Sequence, residues 1–200
     1  RKYEIGRELA REGKLSEAEQ FFDEAINCAV KESMTIVDTI TKNIVDAISQ
    51  QSPDLSAKYM AKFIALKGDA LTVDDLGMFN KLGLALRKQG NWKLAIEYYK
   101  QALDINAEDP GLHYNMAVAF TEGKEYRQAR DHFDKAFALD PELHKSSPSV
   151  CHYAGTTFLR LGETERAYKL CQDVLALNPQ EPTARDLLAR IKQKKPLDEA

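Results

Sequence analysis

The feature that most constrains this chain is a repeat of fixed length. The stretch from Leu76 to Asp109 lies over the stretch from Pro110 to Leu143 without a gap. Gly83 then faces Ala117, Ala95 faces Ala129, Tyr99 faces Phe133 and Ala102 faces Ala136, each pair 34 positions apart. A constant period of this size marks an array of supersecondary units, each burying its apolar face against the next. Two more copies follow the same template, with Gly6, Leu9, Gly13, Ala18, Phe22 and Ala25 near the start and Gly155, Phe158, Gly162 and Ala167 near the end, where Pro179 closes the unit. Apolar residues recur at helical spacing, Gly and Pro fall between the periodic segments, and no segment alternates like a strand. The expectation is an all-α chain without sheet.

The residue types follow from two antiparallel helices joined by a tight turn. Small side chains stand where the helices cross closely: Gly6, Gly83, Ala117 and Gly155 in the first helix, Ala18, Ala95, Ala129 and Ala167 in the second. A larger group there would hold the backbones apart. Tyr99 and Phe133 fill the space between successive units. Gly13, Gly90 and Gly162 can take the left-handed conformation that ends a helix. Ser16 with Glu19 reads as a capping box opening a second helix, as does Thr72 with Asp75 further on.

These positions resemble the tetratricopeptide repeat family, most clearly in "FNKLGLALRKQGNWKLAIEYYKQALDINAEDP" followed by "HYNMAVAFTEGKEYRQARDHFDKAFALDP". The resemblance covers about four fifths of the chain. It implies an α-solenoid of helix-turn-helix repeats with a C-terminal capping helix. On that template residues 1–194 form one solenoid, with repeats at about 1–32, 76–109, 110–143 and 148–181, a capping helix at 182–194 and a tail at 195–200. Residues 33–75 exceed one period and read as an enlarged, diverged helical pair. Ile36, Val37, Ile40, Ile44, Val45 and Ile48 would line its first helix. Its second would open at Ser52-Pro53 and carry Leu55, Met60, Phe63, Ile64 and Leu66. In the last repeat Cys171 stands where an aromatic is expected and Val174 where Ala is expected, and a longer loop falls around His144–Ser147.

Composition sets the function classes. Charged residues make up 30% and hydrophobic ones 44% of 200 residues, and the net charge is −3. That suits a folded chain and gives no reason to expect nucleic acid as the partner. The basic run "RIKQKK" reads as the solvated face of the capping helix. No apolar run reaches the roughly 18 residues of a membrane span, so no membrane insertion is expected. The cysteines, Cys28, Cys151 and Cys171, give neither a disulfide framework nor a CxxC pair and suit a reducing, cytoplasmic setting. None of His113, His132, His144 and His152 sits in an HExxH or pairs with Cys at metal spacing. No phosphate loop, Rossmann fingerprint or GxSxG occurs. No catalytic residue, cofactor or metal is expected. Trp92 lies at a turn where the family commonly has an aromatic and reads as core. The chain opens at Arg1 without Met, which reads as a piece of a longer protein.

What remains is a binding surface. In solenoids of this kind the first helix of each unit lines the groove. Repeat position places Asn80, Leu84, Arg87 and Lys88 there, then Tyr114, Asn115, Val118 and Thr121, then His152, Thr156 and Arg160. This mix of cationic, amide and mid-sized apolar groups suits a peptide with an acidic or carboxyl-bearing element. Arg87 and Arg160 would pair with its acidic groups, and Tyr114 would be its apolar anchor. Some family members hold the C-terminal carboxylate of heat-shock chaperones with a Lys/Asn/Arg clamp. The corresponding pairs here are Asn80/Leu84 and Ser149/Tyr153, so co-chaperone function is not expected. The expected function is a non-enzymatic interaction module. "LTVDDLGMFNKLGLALRKQGNWKLAIEYYKQAL" is similar to repeat regions attached to bacterial receiver-domain signalling proteins, which suggests one setting; an assembly factor is another. The alternative is a regulatory or substrate-recruiting appendage of an enzyme whose catalytic domain lies elsewhere.

Overall fold

The computed structural model describes residues 1–143 and 149–193. Among these every regular element is helical. The chain divides into two compact units, Arg1–Gln89 and the residues from Gly90 onward. The expected loop at His144–Ser147, the end of the capping helix at Lys194 and the 195–200 tail lie outside the described residues.

The first unit contains α1 (Lys2–Arg11), α2 (Leu15–Val30), α3 (Met34–Ile48), α4 (Pro53–Lys67), two 3₁₀ turns (Gly68–Ala70 and Val73–Asp75) and α5 (Leu76–Lys88). Gly6 earns its place by close approach: a Cβ there would stand 2.7 Å from two ring carbons of Phe22 and 3.1 Å from the Ala18 carbonyl oxygen. Gly13 takes φ +78°, as the end of α1 requires. The capping box expected at Ser16 and Glu19 is not formed. α2 starts two residues earlier, with Lys14 at its N-cap and no side-chain cap, and Glu19 faces Lys58 of α4 instead. Ser33 and Ser52 do cap α3 and α4, accepting from the Ile36 and Leu55 amides.

The 33–75 segment is a folded helical pair. Val37, Ile44, Val45 and Ile48 are fully buried, whereas Ile36 and Leu66, expected on its apolar faces, are 37% and 39% exposed. Tyr59 takes a core place that the apolar pattern did not mark. Its ring meets Phe22 edge-on at 5.7 Å, and its hydroxyl lies 3.0 Å from both the Glu19 carbonyl oxygen and Asp23 Oδ1. Burial, reinforced by Asp23, pushes this phenol well above its usual range. Asp75 closes the unit. It accepts from the Thr72 amide at 2.9 Å, forming the expected capping box, and is also gripped by Lys42 at 2.8 Å and Lys67 at 2.7 Å. Burial alone would raise this carboxyl; the hydrogen bonds from Lys42 and Lys67 outweigh it and hold it below its usual range.

The second unit contains α6 (Trp92–Ile105), α7 (Pro110–Glu122), α8 (Tyr126–Leu139), α9, α10 (Thr164–Leu177) and α11 (Pro182–Gln193). α9 carries a π-helical turn at Cys151–Gly155 and continues as Thr156–Arg160. Ala95, Ala129 and Ala167 are fully buried, as the crossing positions require. Phe133 fills the space between repeats, with ring centroids at 5.9 Å from Tyr114 and 6.4 Å from Phe158. Each such ring contributes roughly 1.5–3 kcal/mol by burial. Trp92 packs on the turn after α7: a Cβ on Gly123 would come within 2.7 Å of its ring. Where the last repeat lacks an aromatic, Cys171 is buried against Cys151.

Candidate partner-binding cleft

α7, α9 and α11 of the second unit border a cleft of about 500 Å³. Thr121 lines it and pairs with the buried Thr157. Thr121 donates to the Ala117 carbonyl oxygen at 2.9 Å and lies 2.8 Å from the Thr157 hydroxyl. Thr121 has only one proton, so Thr157 donates to it. One wall is His152, Tyr153, Thr156 and Arg160 of α9, and the other is Thr183, Asp186, Leu187 and Arg190 of α11. The Tyr153 hydroxyl donates to Glu122 at 3.4 Å, and Asp186 pairs with Arg190 at 2.8 Å.

Lys124 is among the residues that line this cleft and has φ +61°. The matching turns at Gly13, Gly90 and Gly162 have φ between +78° and +79° and carry no side chain. A non-glycine residue in this conformation costs roughly 1–2 kcal/mol.

Four of the expected groove residues, Thr121, His152, Thr156 and Arg160, come together here. Thr121 is 8% exposed. Val118 does not belong to the surface: it is 1% exposed and packs in the core. Tyr114 is also not a free anchor. It is half-buried, tilted against the Phe133 ring and joined to Ser149 by a 2.9 Å hydroxyl contact. Asn115 is half-buried on α7. Asn80, Leu84, Arg87 and Lys88 lie on α5 of the first unit; Leu84 and Lys88 are exposed, Asn80 and Arg87 half-buried. Sequence reasoning missed Lys124 and the α11 wall. Lys124 had a signal, since it falls 34 positions after Gly90 and breaks the glycine pattern.

A second cleft, of about 650 Å³, lies among α6, α7 and α8. Its polar centre is a histidine pair with Nδ1 atoms 3.0 Å apart. His113 Nε2 lies 3.0 Å from the Ala107 carbonyl oxygen and can only donate to it. In the neutral pair the His113 Nδ1 is therefore the acceptor and His132 the donor. Burial above all, then His113 and the nearby Lys135 and Lys100, lowers the His132 imidazole to about 4. Among the described residues no group of three or more His, Cys, Asp or Glu side chains gathers as metal ligands, and no helix is long and apolar enough to cross a membrane.

Helical hairpins at a constant period, with small residues at the crossings and a cleft lined by first helices, define a helical-repeat scaffold. Sequence models described as TPR repeat and tetratricopeptide repeat match residues 83–122 and 120–191. The chain belongs to the tetratricopeptide repeat family. It is similar to protein O-mannosyl-transferase Tmtc3 of Drosophila melanogaster, 32% identical over 77 residues, which are 38% of this chain and 8% of that protein. It is also similar to the photosystem I assembly protein Ycf3 of Acaryochloris marina, 28% identical over 109 residues, 50% of this chain and 65% of the relative. Among solved structures, the first TPR of Spaghetti (RPAP3) bound to an HSP90 peptide is 26% identical with a TM-score of 0.56, covering 62% of this chain and 98% of its own. YrrB, a TPR protein with an unusual peptide-binding site, has a TM-score of 0.62 over 92% of this chain and 89% of its own at 19% identity, a likeness of fold.

Proposed function

We propose that this chain is a non-enzymatic interaction module that holds an acidic peptide segment of a partner protein in the cleft between α7, α9 and α11. The observation that carries this reading is Lys124, a basic residue lining the cleft in a backbone conformation that three equivalent turns give to glycine. Strain retained at one repeat of four points to a use for the side chain. Arg160 and Arg190 add positive charge along the walls beside Glu122 and Asp186, and the Thr121–Thr157 hydroxyl pair is already satisfied. A carboxylate is the group that such a cleft recognises. Spaghetti (RPAP3) with its HSP90 peptide supports the class of ligand, but the clamp positions here are Asn80/Leu84 and Ser149/Tyr153, so the proposed ligand is an acidic segment distinct from the chaperone tail.

The similarity to Ycf3 favours an assembly role for the parent protein, alongside the bacterial signalling setting suggested by the 71–103 wording. The similarity to Tmtc3 favours the second reading, a recruiting appendage of an enzyme. Both share the same cleft. The test is affinity capture from the native cell with the wild-type chain, an Arg160→Glu chain and a Glu97→Lys control as baits. Partners captured by wild type and control and lost with Arg160→Glu support the cleft; partners indifferent to Arg160→Glu overturn it.

A further inference from the structure

The Cys151 and Cys171 sulfurs lie 3.4 Å apart, both fully buried, in a core shared with Val174, Ala184 and Leu187. Neither is bonded. A disulfide needs about 2.05 Å between sulfurs, so the pair must close by only about 1.3 Å to meet that geometry. Two details single this pair out from ordinary core cysteines. The first is the local backbone: Cys151 opens the π-helical turn Cys151–Gly155. Such a turn holds one residue more than an α-helical turn and is a common site of functional adjustment, so it has backbone to give up when Cys151 is drawn toward α10. The second is position: the same turn carries His152 and Tyr153, which line the 500 Å³ cleft. A Cβ on Gly155 would already stand 3.0 Å from Leu187 Cδ1, so the turn also abuts the opposite wall of that cleft.

We propose that Cys151 and Cys171 form an oxidisable dithiol, and that its closure to a disulfide resets the π-helical turn and with it the His152–Tyr153 wall. The oxidant is a small hydroperoxide. One sulfur, as its thiolate, attacks the peroxide oxygen, breaking the O–O bond and leaving a sulfenic acid and an alcohol or water. The second sulfur attacks the sulfenic sulfur, the S–S bond forms, and the hydroxyl leaves as water with the second thiol proton. Two electrons pass from the sulfurs to the peroxide. The contact between the two sulfurs stabilises a thiolate on one of them and lowers the Cys171 thiol, which favours Cys171 as the attacking sulfur. The oxidant would reach the pair through local opening of α11, which packs on this core through Ala184, Leu187 and Leu188.

The experiment uses the full chain with Cys28→Ser, which removes the exposed thiol, treated with hydrogen peroxide and then alkylated after unfolding. The expected result is loss of both remaining thiols, a mass lower by two hydrogens, a peptide map joining residues 151 and 171, and full recovery with dithiothreitol. Hydrogen exchange of residues 152–160 should change on oxidation, and should not change in Cys171→Ala or, should that fold poorly, Cys171→Val. Two intact thiols, a gain of oxygen without a crosslink, or dimers joined between chains would overturn the dithiol. A disulfide that leaves the exchange of 152–160 unchanged would overturn the link to the cleft wall.

Discussion

The two clefts described in the second unit differ, and the larger of the two is not the better candidate. The 650 Å³ cleft among α6, α7 and α8 encloses a histidine pair that satisfies itself: His132 donates to His113 and His113 to the Ala107 carbonyl, and burial above all lowers the His132 imidazole. The 500 Å³ cleft is lined by a strained Lys124, with Arg160 and Arg190 beside Glu122 and Asp186. Volume alone would choose the first. The backbone chooses the second, because strain at a non-glycine turn is a cost that packing by itself does not require.

The largest expected effect separates the two clefts directly. With a captured partner in hand, Arg160→Glu should weaken binding by on the order of 2–3 kcal/mol, since it swaps attraction for repulsion. It should also flatten the salt dependence. Lys135→Glu, beside the histidine pair, should change affinity little. A titration at two salt concentrations reads both, and equal losses would put the ligand in the histidine cleft or across the whole unit.

Next in size is Ala129→Leu, on α8 between the two clefts' helices. Ala129 is fully buried, so added methylenes overpack the crossing and should cost roughly 1–3 kcal/mol in thermal or denaturant unfolding. An unchanged midpoint would mean that the repeat register is wrong.

The histidine cleft makes its own prediction through pH. The His132 imidazole is lowered from 6.5 to about 4 in the folded chain. Between these values the unfolded chain binds a proton that the folded chain refuses. The contribution of His132 is therefore fully present above pH 6.5 and is lost as pH falls toward 4. The loss should be on the order of 2 kcal/mol for a partly exposed ring. Unfolding curves at pH 7 and pH 4.5 for wild type and His132→Asn check this: the variant should lose less stability over that interval.

The smallest effect is the most discriminating. Lys124→Gly should raise stability by up to about 1 kcal/mol by relieving the left-handed strain. It should also weaken partner binding. A variant that gains stability and binds like wild type would leave Lys124 without a role in the cleft.

The sequence alone determined the repeat and most of its mechanics. Ala95, Ala129, Ala167 and Gly6 were legible because a close crossing admits only small residues, and Gly13, Gly90 and Gly162 because the turn needs positive φ. Both requirements are local and recur at one spacing. The caps at Ser33, Ser52 and Thr72 lie within three residues of their partners, so short-range pattern could suggest them, although Ser16 shows that the same pattern fails when Glu19 finds Lys58. Repeat equivalence also grouped Thr121, His152, Thr156 and Arg160, which line one cleft. What only the tertiary structure decided is where distant residues meet. Asp75 joins Lys42 and Lys67, Tyr59 reaches Asp23, His113 meets His132, and Cys151 touches Cys171, all across separations that no helical period encodes. Val118 and Tyr114 failed as surface residues for the same reason. A helix has several faces, and which one is buried depends on the neighbours packed against it, which the period of one helix cannot specify.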